Sequence, residues 1–220
     1  SSITLPTTRN PHTVVVLVSG SPLEMDWVGE VPAIVMAWYP GMEGGRAIAD
    51  VLFGAANPCG KLPVTFARKL SDCAAHRNER QFPGTETEVL YAEDIFVGYR
   101  HFDRASIAPP YPFGFGLSYT RFSSADLSVP ASWQAGETLQ VSMTLTNDGP
   151  RDGAEVVQLY VGSRAPAVSR PVRELRAFRK VWLAAGESRR LSFELEPSAL
   201  AYYGENDKAW RCDPGDYELS

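Results

Sequence analysis

The sequence predicts two fold classes in succession: part of an open α/β structure, then an all-β sandwich. Three observations predict them. Residues 14–18 and 33–38 are continuous apolar runs, the pattern of parallel strands covered on both faces. From residue 139 onward, apolar and polar residues alternate in short stretches separated by turns, the pattern of a sandwich. Between the two lies the Gly- and aromatic-rich Tyr111-Pro112-Phe113-Gly114-Phe115-Gly116-Leu117-Ser118-Tyr119. The expected domains are therefore 1–121, an α/β part with long loops, and 122–220, the sandwich.

Val14-Val15-Val16-Leu17-Val18 runs into Ser19-Gly20-Ser21-Pro22, a strand followed by a turn. Ala33-Ile34-Val35-Met36-Ala37-Trp38 runs into Tyr39-Pro40-Gly41 in the same way. Residues 44–53 place Ile48, Leu52 and Val51 on one helical face, and Gly54 stands where a helix stops. Residues 57–111 are rich in Pro, Gly and polar side chains, so long loops with little regular structure are expected there. In the second half, Leu139, Val141, Met143 and Leu145 point one way, and Gln140, Ser142 and Thr144 the other. Asn147-Asp148-Gly149-Pro150 is a turn, residues 156–161 alternate again, and residues 175–183 and 191–195 continue the strands.

Composition bounds the function. With 220 residues, the chain holds one or two domains and is too short for a complete β/α barrel of roughly 250 residues with anything added. A net charge of −5 with scattered Lys and Arg argues against a nucleic-acid partner. The basic cluster at 170–180 reads as the solvated face of a strand pair. The longest apolar run is far below the roughly 18 residues of a membrane span, so no membrane partner is expected. Cys59, Cys73 and Cys212 include no C-x-x-C spacing; Cys59 and Cys73 are placed to pair across a loop, but free thiols are the expected state. His12, His76 and His101 are isolated, so no metal is expected. No signal segment opens the chain and no Asn carries the N-x-[ST] pattern, which leaves the compartment open. Ser-Ser-Ile-Thr-Leu-Pro at the start and Tyr217-Glu218-Leu219-Ser220 at the end both read as strand, so the chain reads as a fragment.

Five stretches then follow in order: Ala37-Trp38-Tyr39-Pro40-Gly41-Met42-Glu43-Gly44-Gly45, Ala49-Asp50-Val51-Leu52-Phe53-Gly54, Asn57-Pro58-Cys59-Gly60-Lys61-Leu62-Pro63, Tyr91-Ala92-Glu93-Asp94-Ile95-Phe96-Val97-Gly98-Tyr99-Arg100 and Pro112-Phe113-Gly114-Phe115-Gly116-Leu117-Ser118-Tyr119-Thr120. Together they resemble the C-terminal part of family-3 glycoside hydrolases of the β-glucosidase and β-xylosidase type. Gly153-Ala154-Glu155-Val156-Val157-Gln158-Leu159-Tyr160-Val161 and Pro171-Val172-Arg173-Glu174-Leu175 resemble the fibronectin-III-like domain that ends many of these enzymes. The resemblance implies a partial α/β sandwich followed by a fibronectin-III-like sandwich, an upstream barrel domain of the same enzyme as partner, and a β-linked glucoside or oligosaccharide as substrate. It calls for no cofactor. It also implies that the nucleophilic Asp and the acid/base Glu precede the Leu-Pro matched to Leu5-Pro6, so this chain contributes no catalytic residue.

Three departures from the family pattern stand out. Only Thr7, Thr8 and Arg9 separate Pro6 from Asn10, where the family has a helix of about three turns. Cys59 replaces a usual Ser, and Asp94 a usual Gly; Asp tolerates a left-handed turn better than most residues.

The weak candidates for substrate contact are Glu43, Tyr91 and Glu93. Glu43 lies in a Gly-rich turn before a helix, where capping or loop-fixing is the plainer role. Tyr91 and Glu93 share a loop near the expected sugar pocket, and hydrogen bonding that orders the loop is the plainer role for Glu93. In that loop, residues 81–88 are expected to be mobile and 91–99 ordered by the barrel. A Ser nucleophile at Ser19 or Ser21 lacks the G-x-S-x-G elbow. A binding or structural module without catalysis is the alternative function.

Overall fold

The computed structural model describes residues 10–220; the shortened connection at residues 7–9 and the Leu5-Pro6 match lie outside them. The chain forms two compact units. The first runs to Ala56 and adds Leu62–Phe115; the second combines Asn57–Lys61 with Gly116–Ser220.

In the first unit, β1 (Val14–Leu17) pairs in parallel with β2 (Ala33–Met36), Val14 opposite Ala33 and Leu17 opposite Met36. Parallel neighbours need a crossover connection. It contains the short 3-10 turn Val28–Glu30 and buries Met25 and Trp27 beside Leu17 and Phe66. The expected cover on both strand faces is only partial: Val14 and Val18 are exposed, because β1 and β2 pair only with each other among the described residues. Helix α1 (Gly44–Leu52) closes as expected, with Phe53 and Gly54 donating to Ala49 O and Val51 O and Gly54 at φ +78°. Its inward residues are Ile48 and Val51, whereas Leu52 is exposed.

The expected structureless stretch contains more order than composition suggested. Residues 62–66 run beside 111–115 through Leu62 N to Phe115 O, Gly114 N to Leu62 O and Phe66 N to Tyr111 O. A second helix, α2 (Tyr99–Ala105), buries His101 and Phe102. It sits between Gly98 at φ +55° and Ser106 in the left-handed region, two breaks that delimit a Pro- and Gly-free segment. No helix of the described residues is long and apolar enough to cross a membrane.

The second unit is a sandwich. One sheet orders β3 (Phe122–Ser128), β4 (Leu139–Asn147) and β7 (Ser188–Leu195); the other orders β10 (Tyr217–Leu219), β5 (Gly153–Ser163) and β6 (Glu174–Leu183). The hairpin β8 (Tyr202–Gly204) and β9 (Ala209–Arg211) stands apart from both sheets. The alternation read from the sequence is the burial pattern: Leu139, Val141, Met143 and Leu145 join Leu159, Val161, Val181, Leu183, Leu191, Phe193 and Leu195 in one core. At the start of β10, the Tyr217 hydroxyl donates back to Asp213 O at 2.8 Å, the tyrosine-corner geometry of immunoglobulin-like sandwiches.

Asn147, fully buried, ties this unit together. Its Oδ1 accepts from Thr120 Oγ1 at 2.6 Å and Gly149 N at 3.2 Å, and its Nδ2 donates to Arg151 O and Leu183 O. Asn57 donates to Asp152 O and accepts from Ser118 and Tyr119; Lys61 pairs with Glu155 at 2.7 Å. The basic stretch at 170–180 is not simply a solvated face. Arg170 and Arg176 converge on Glu174, at 3.6 and 2.6 Å, in a largely buried cluster, because opposite charges removed from water must pair.

Candidate functional site

In α/β sheets, ligands gather at the carboxyl ends of parallel strands. After β1 the chain turns through residues 19–22. The Ser19 hydroxyl donates to Ser21 O at 3.0 Å and accepts from Ser21 N, so it serves its own turn rather than a base. After β2, Trp38 sits at φ +53°, a strained conformation for a bulky residue. Its ring is held inward, stacked 6.1 Å from Phe66. The next residue is thereby turned outward, and Tyr39 is 80% exposed. The Tyr39 ring covers Gly20: a Cβ there would lie 2.7 Å from Oη. Gly41 at φ +73° completes the turn, and Gly44 fits beneath Pro40 with no room for a Cβ.

Glu43 occupies the N-cap position of α1. Its side chain makes no cap hydrogen bond, so the expected side-chain cap is not formed, while its carbonyl accepts from Ala47 N at 2.9 Å. The carboxylate is left in solvent at the positive end of the helix dipole.

Tyr91 and Glu93 lie in the loop before α2. Glu93 Oε2 accepts from Gln81 Nε2 at 3.4 Å, and Gln81 also donates to Ala74 O. Phe96 N closes the turn on Glu93 O, and Asp94 takes φ +53°. Tyr91 is 79% exposed, whereas Phe96 is buried under the Arg104 guanidinium, 3.8 Å from its ring centre. The segment 81–88, expected to be mobile, is tied internally. Gln81 is buried, Leu90 N donates to Arg80 O, and Arg80 pairs with Glu88 at 2.8 Å.

The structure therefore keeps Tyr91 and Glu93 in one loop. No hydrogen bond or ion pair among the described residues joins that loop to Glu43. Gln81, the amide that orients Glu93, was missed: nothing in its polar neighbourhood marks it as buried. The three thiols are free, and burial, with Asp72 and Glu24 close by, pushes the Cys73 thiol above its ordinary value. That disfavours the nucleophilic thiolate. No group of three His, Cys, Asp or Glu among the described residues is arranged to hold a metal.

A parallel pair with loops at its carboxyl edge, followed along the chain by a tyrosine-corner sandwich, defines the class. Residues 3–99 match the glycosyl hydrolase family 3 C-terminal domain and residues 155–220 the fibronectin type III-like domain. The chain therefore carries a family 3 C-terminal domain followed by a fibronectin-III-like domain.

It is 46% identical over 211 residues to a β-glucosidase of Rhizobium radiobacter, covering 96% of this chain and 26% of that protein. A probable β-glucosidase I of Aspergillus terreus is 44% identical over 217 residues, with the same coverages. Among solved structures, a Streptomyces venezuelae β-glucosidase in complex with D-glucose matches at TM-score 0.90 and 36% identity, over 97% of this chain and 27% of that one. The Bifidobacterium adolescentis family-3 β-glucosidase matches at TM-score 0.90 and 42% identity, over 97% and 31%. The chain thus spans about a quarter to a third of the relatives it matches.

Proposed function

We propose that this chain is the C-terminal portion of a retaining β-glycosidase that hydrolyses terminal non-reducing β-D-glucosyl, or xylosyl, residues. The observation that carries the reading is the match of 96% of the chain to β-glucosidases of which it spans 26%. Within the longer enzyme, residues 1–121 are the end of the α/β domain and 122–220 the fibronectin-III-like domain; the sandwich unit also draws in Asn57–Lys61 and residues 116–121.

Retaining hydrolysis uses two carboxyl groups about 5–5.5 Å apart, one attacking the anomeric carbon and one donating and then withdrawing a proton. Glu43 stands alone in solvent, and Glu93 is engaged with an amide. Neither is built as half of such a pair, which supports an Asp nucleophile and a Glu acid/base in the part of the enzyme upstream of these residues. Glu43, Tyr91 and Glu93 then shape the sugar pocket. The exposed Tyr39, Met42 and Tyr91 form apolar surface suited to packing against the barrel domain.

The test is Glu93→Ala in the whole enzyme, assayed on an activated aryl β-glucoside with and without azide. The expected result is a raised KM or lowered stability with kcat changed less than tenfold. A kcat collapse of several orders of magnitude, rescued by azide, makes Glu93 a catalytic carboxylate and overturns the reading. The 220-residue chain alone is expected to show no turnover of nitrophenyl β-glucoside.

A further inference from the structure

The outer face of the sandwich unit carries a groove of about 550 Å³ lined by Asn57, Cys59, Asp152, Ala154, Lys180 and Trp182. Its floor follows from strand register. Val181 and Leu183 of β6 point into the core, so Phe178, Lys180 and Trp182 share the opposite face. Ala154 lies directly across from Trp182 and Val156 across from Lys180 on β5. The small Ala154 leaves the indole uncovered, and Trp182 is 56% exposed; Phe178, further along the stripe, is 69% exposed.

The groups around this indole differ in how far they are already engaged. Asn57 is engaged in holding its own segment, through one donation from Nδ2 and two acceptances at Oδ1. Asp152 Oδ1 accepts from Ala185 N at 2.9 Å, which fixes the carboxylate and leaves Oδ2 toward solvent. The Lys180 ammonium has no partner among the described residues. A flat aromatic surface is thus flanked by one fixed acceptor and one free cationic donor of opposite charge.

That combination selects a ligand class. A phosphate or sulfate finds one cation and a nearby carboxylate that repels it. A peptide strand adds to a sheet edge, whereas this stripe lies on a sheet face. A neutral pyranose suits it: its apolar C–H face stacks on the indole, and its hydroxyls, each both donor and acceptor, serve Asp152 and Lys180 together. We infer that the outer face of β5 and β6 is a saccharide-binding site, taking a β-linked glucan across Trp182, with Phe178 extending the platform. The glucan chemistry rests on the proposed function.

The test is affinity electrophoresis of the 220-residue chain in gels containing laminarin, a soluble β-glucan, with cellobiose as competitor. Retardation relieved by cellobiose is expected. Trp182→Ala should weaken binding at least tenfold, Trp182→Phe should keep most of it, and Asp152→Asn should weaken it less. Unchanged thermal melts show that the variants fold. No retardation, or retardation equal in Trp182→Ala and the parent chain, overturns the site. Failure here with intact aryl-glucoside hydrolysis by the whole enzyme refutes only the site; retardation without any hydrolysis by the whole enzyme refutes only the enzymatic reading.

Discussion

The two units enclose their apolar side chains to different degrees. In the sandwich, two three-stranded sheets interdigitate over a core in which Leu183 is fully buried and Val141 and Leu145 nearly so. In the α/β unit, the buried cluster of Leu17, Met25, Trp27 and Phe66 is small among the described residues, while Tyr39, Met42, Phe53 and Tyr91 stand in water. Two sheets of three strands, held partly by distant pairs such as β4 with β7 and β5 with β10, close over the sandwich core. Among the described residues β1 and β2 pair only with each other, and the cluster they build is correspondingly small. Stability is therefore expected to be concentrated in the sandwich, and the α/β unit to be the part that profits from further cover.

Core truncation is the strongest way to break that comparison. Leu183→Ala is expected to cost about 3–5 kcal/mol. Leu17→Ala, near the open end of a two-stranded sheet, should cost about 2 kcal/mol, at the low end of the range for such truncations. Urea denaturation of the chain, with a probe for each unit, measures both; equal losses contradict the contrast.

Asn147→Leu comes next. It removes the amide that serves Thr120, Gly149, Arg151 and Leu183, and takes a partner from the buried Thr120 hydroxyl and Leu183 carbonyl, an expected loss of about 3 kcal/mol. A midpoint within experimental error of the parent would show that water replaces the amide.

The alkaline limb offers a smaller effect in the sandwich. Burial is the main reason that the Tyr217 phenol is pushed up to about 12, aided by the neighbouring Cys212 and Asp213. A raised pKa means that the folded state favours the neutral phenol. The associated stability is fully present below the unfolded value near 10 and is lost as pH rises toward 12. Tyr217→Phe should flatten the decline between pH 10 and 12, read from denaturation midpoints, and should lose the bond to Asp213 O at every pH. A decline as steep as the parent's would assign it to other groups.

How much of this was legible in the sequence follows the same division. The period-2 stretches from Leu139 to Leu145 and in β7 fixed which residues face inward, because a half-covered strand records its two faces directly. The parallel pair was legible as apolar runs and the end of α1 as a glycine. The helix at 99–105 was not, since it depends on flanking left-handed residues rather than a long apolar period. The left-handed turn at Asp94 was hinted at only by the Gly that the resembling family usually has there, and Trp38 gave no hint: Trp has no local reason to adopt φ +53°, and the conformation is held by its stack on Phe66 from a distant segment. Gln81 was hidden for the same reason, its partners Ala74 and Glu93 being assembled only by the folded loop.

The smallest effect sharpens the comparison most, because one substitution can be made in both units. Gly149→Ala would place a Cβ 2.6 Å from Arg121 N and against the Thr120 hydroxyl. Backbone cannot step aside, so a loss of about 2 kcal/mol is expected, in the range of overpacked cores. Gly20→Ala also meets an atom at 2.6 Å, but that atom is the outer edge of the exposed Tyr39 ring. The ring can swing into solvent, and the expected stability change is below about 0.5 kcal/mol. The consequence falls on placement instead: Tyr39 loses its seat at the carboxyl edge of the parallel pair. In the 220-residue chain, Gly20→Ala should leave the melting temperature nearly unchanged, while Gly149→Ala lowers it by several degrees. A drop for Gly20→Ala as large as that for Gly149→Ala would mean that the Tyr39 ring is a fixed part of the core, and that the openness ascribed to the α/β unit is wrong at this position.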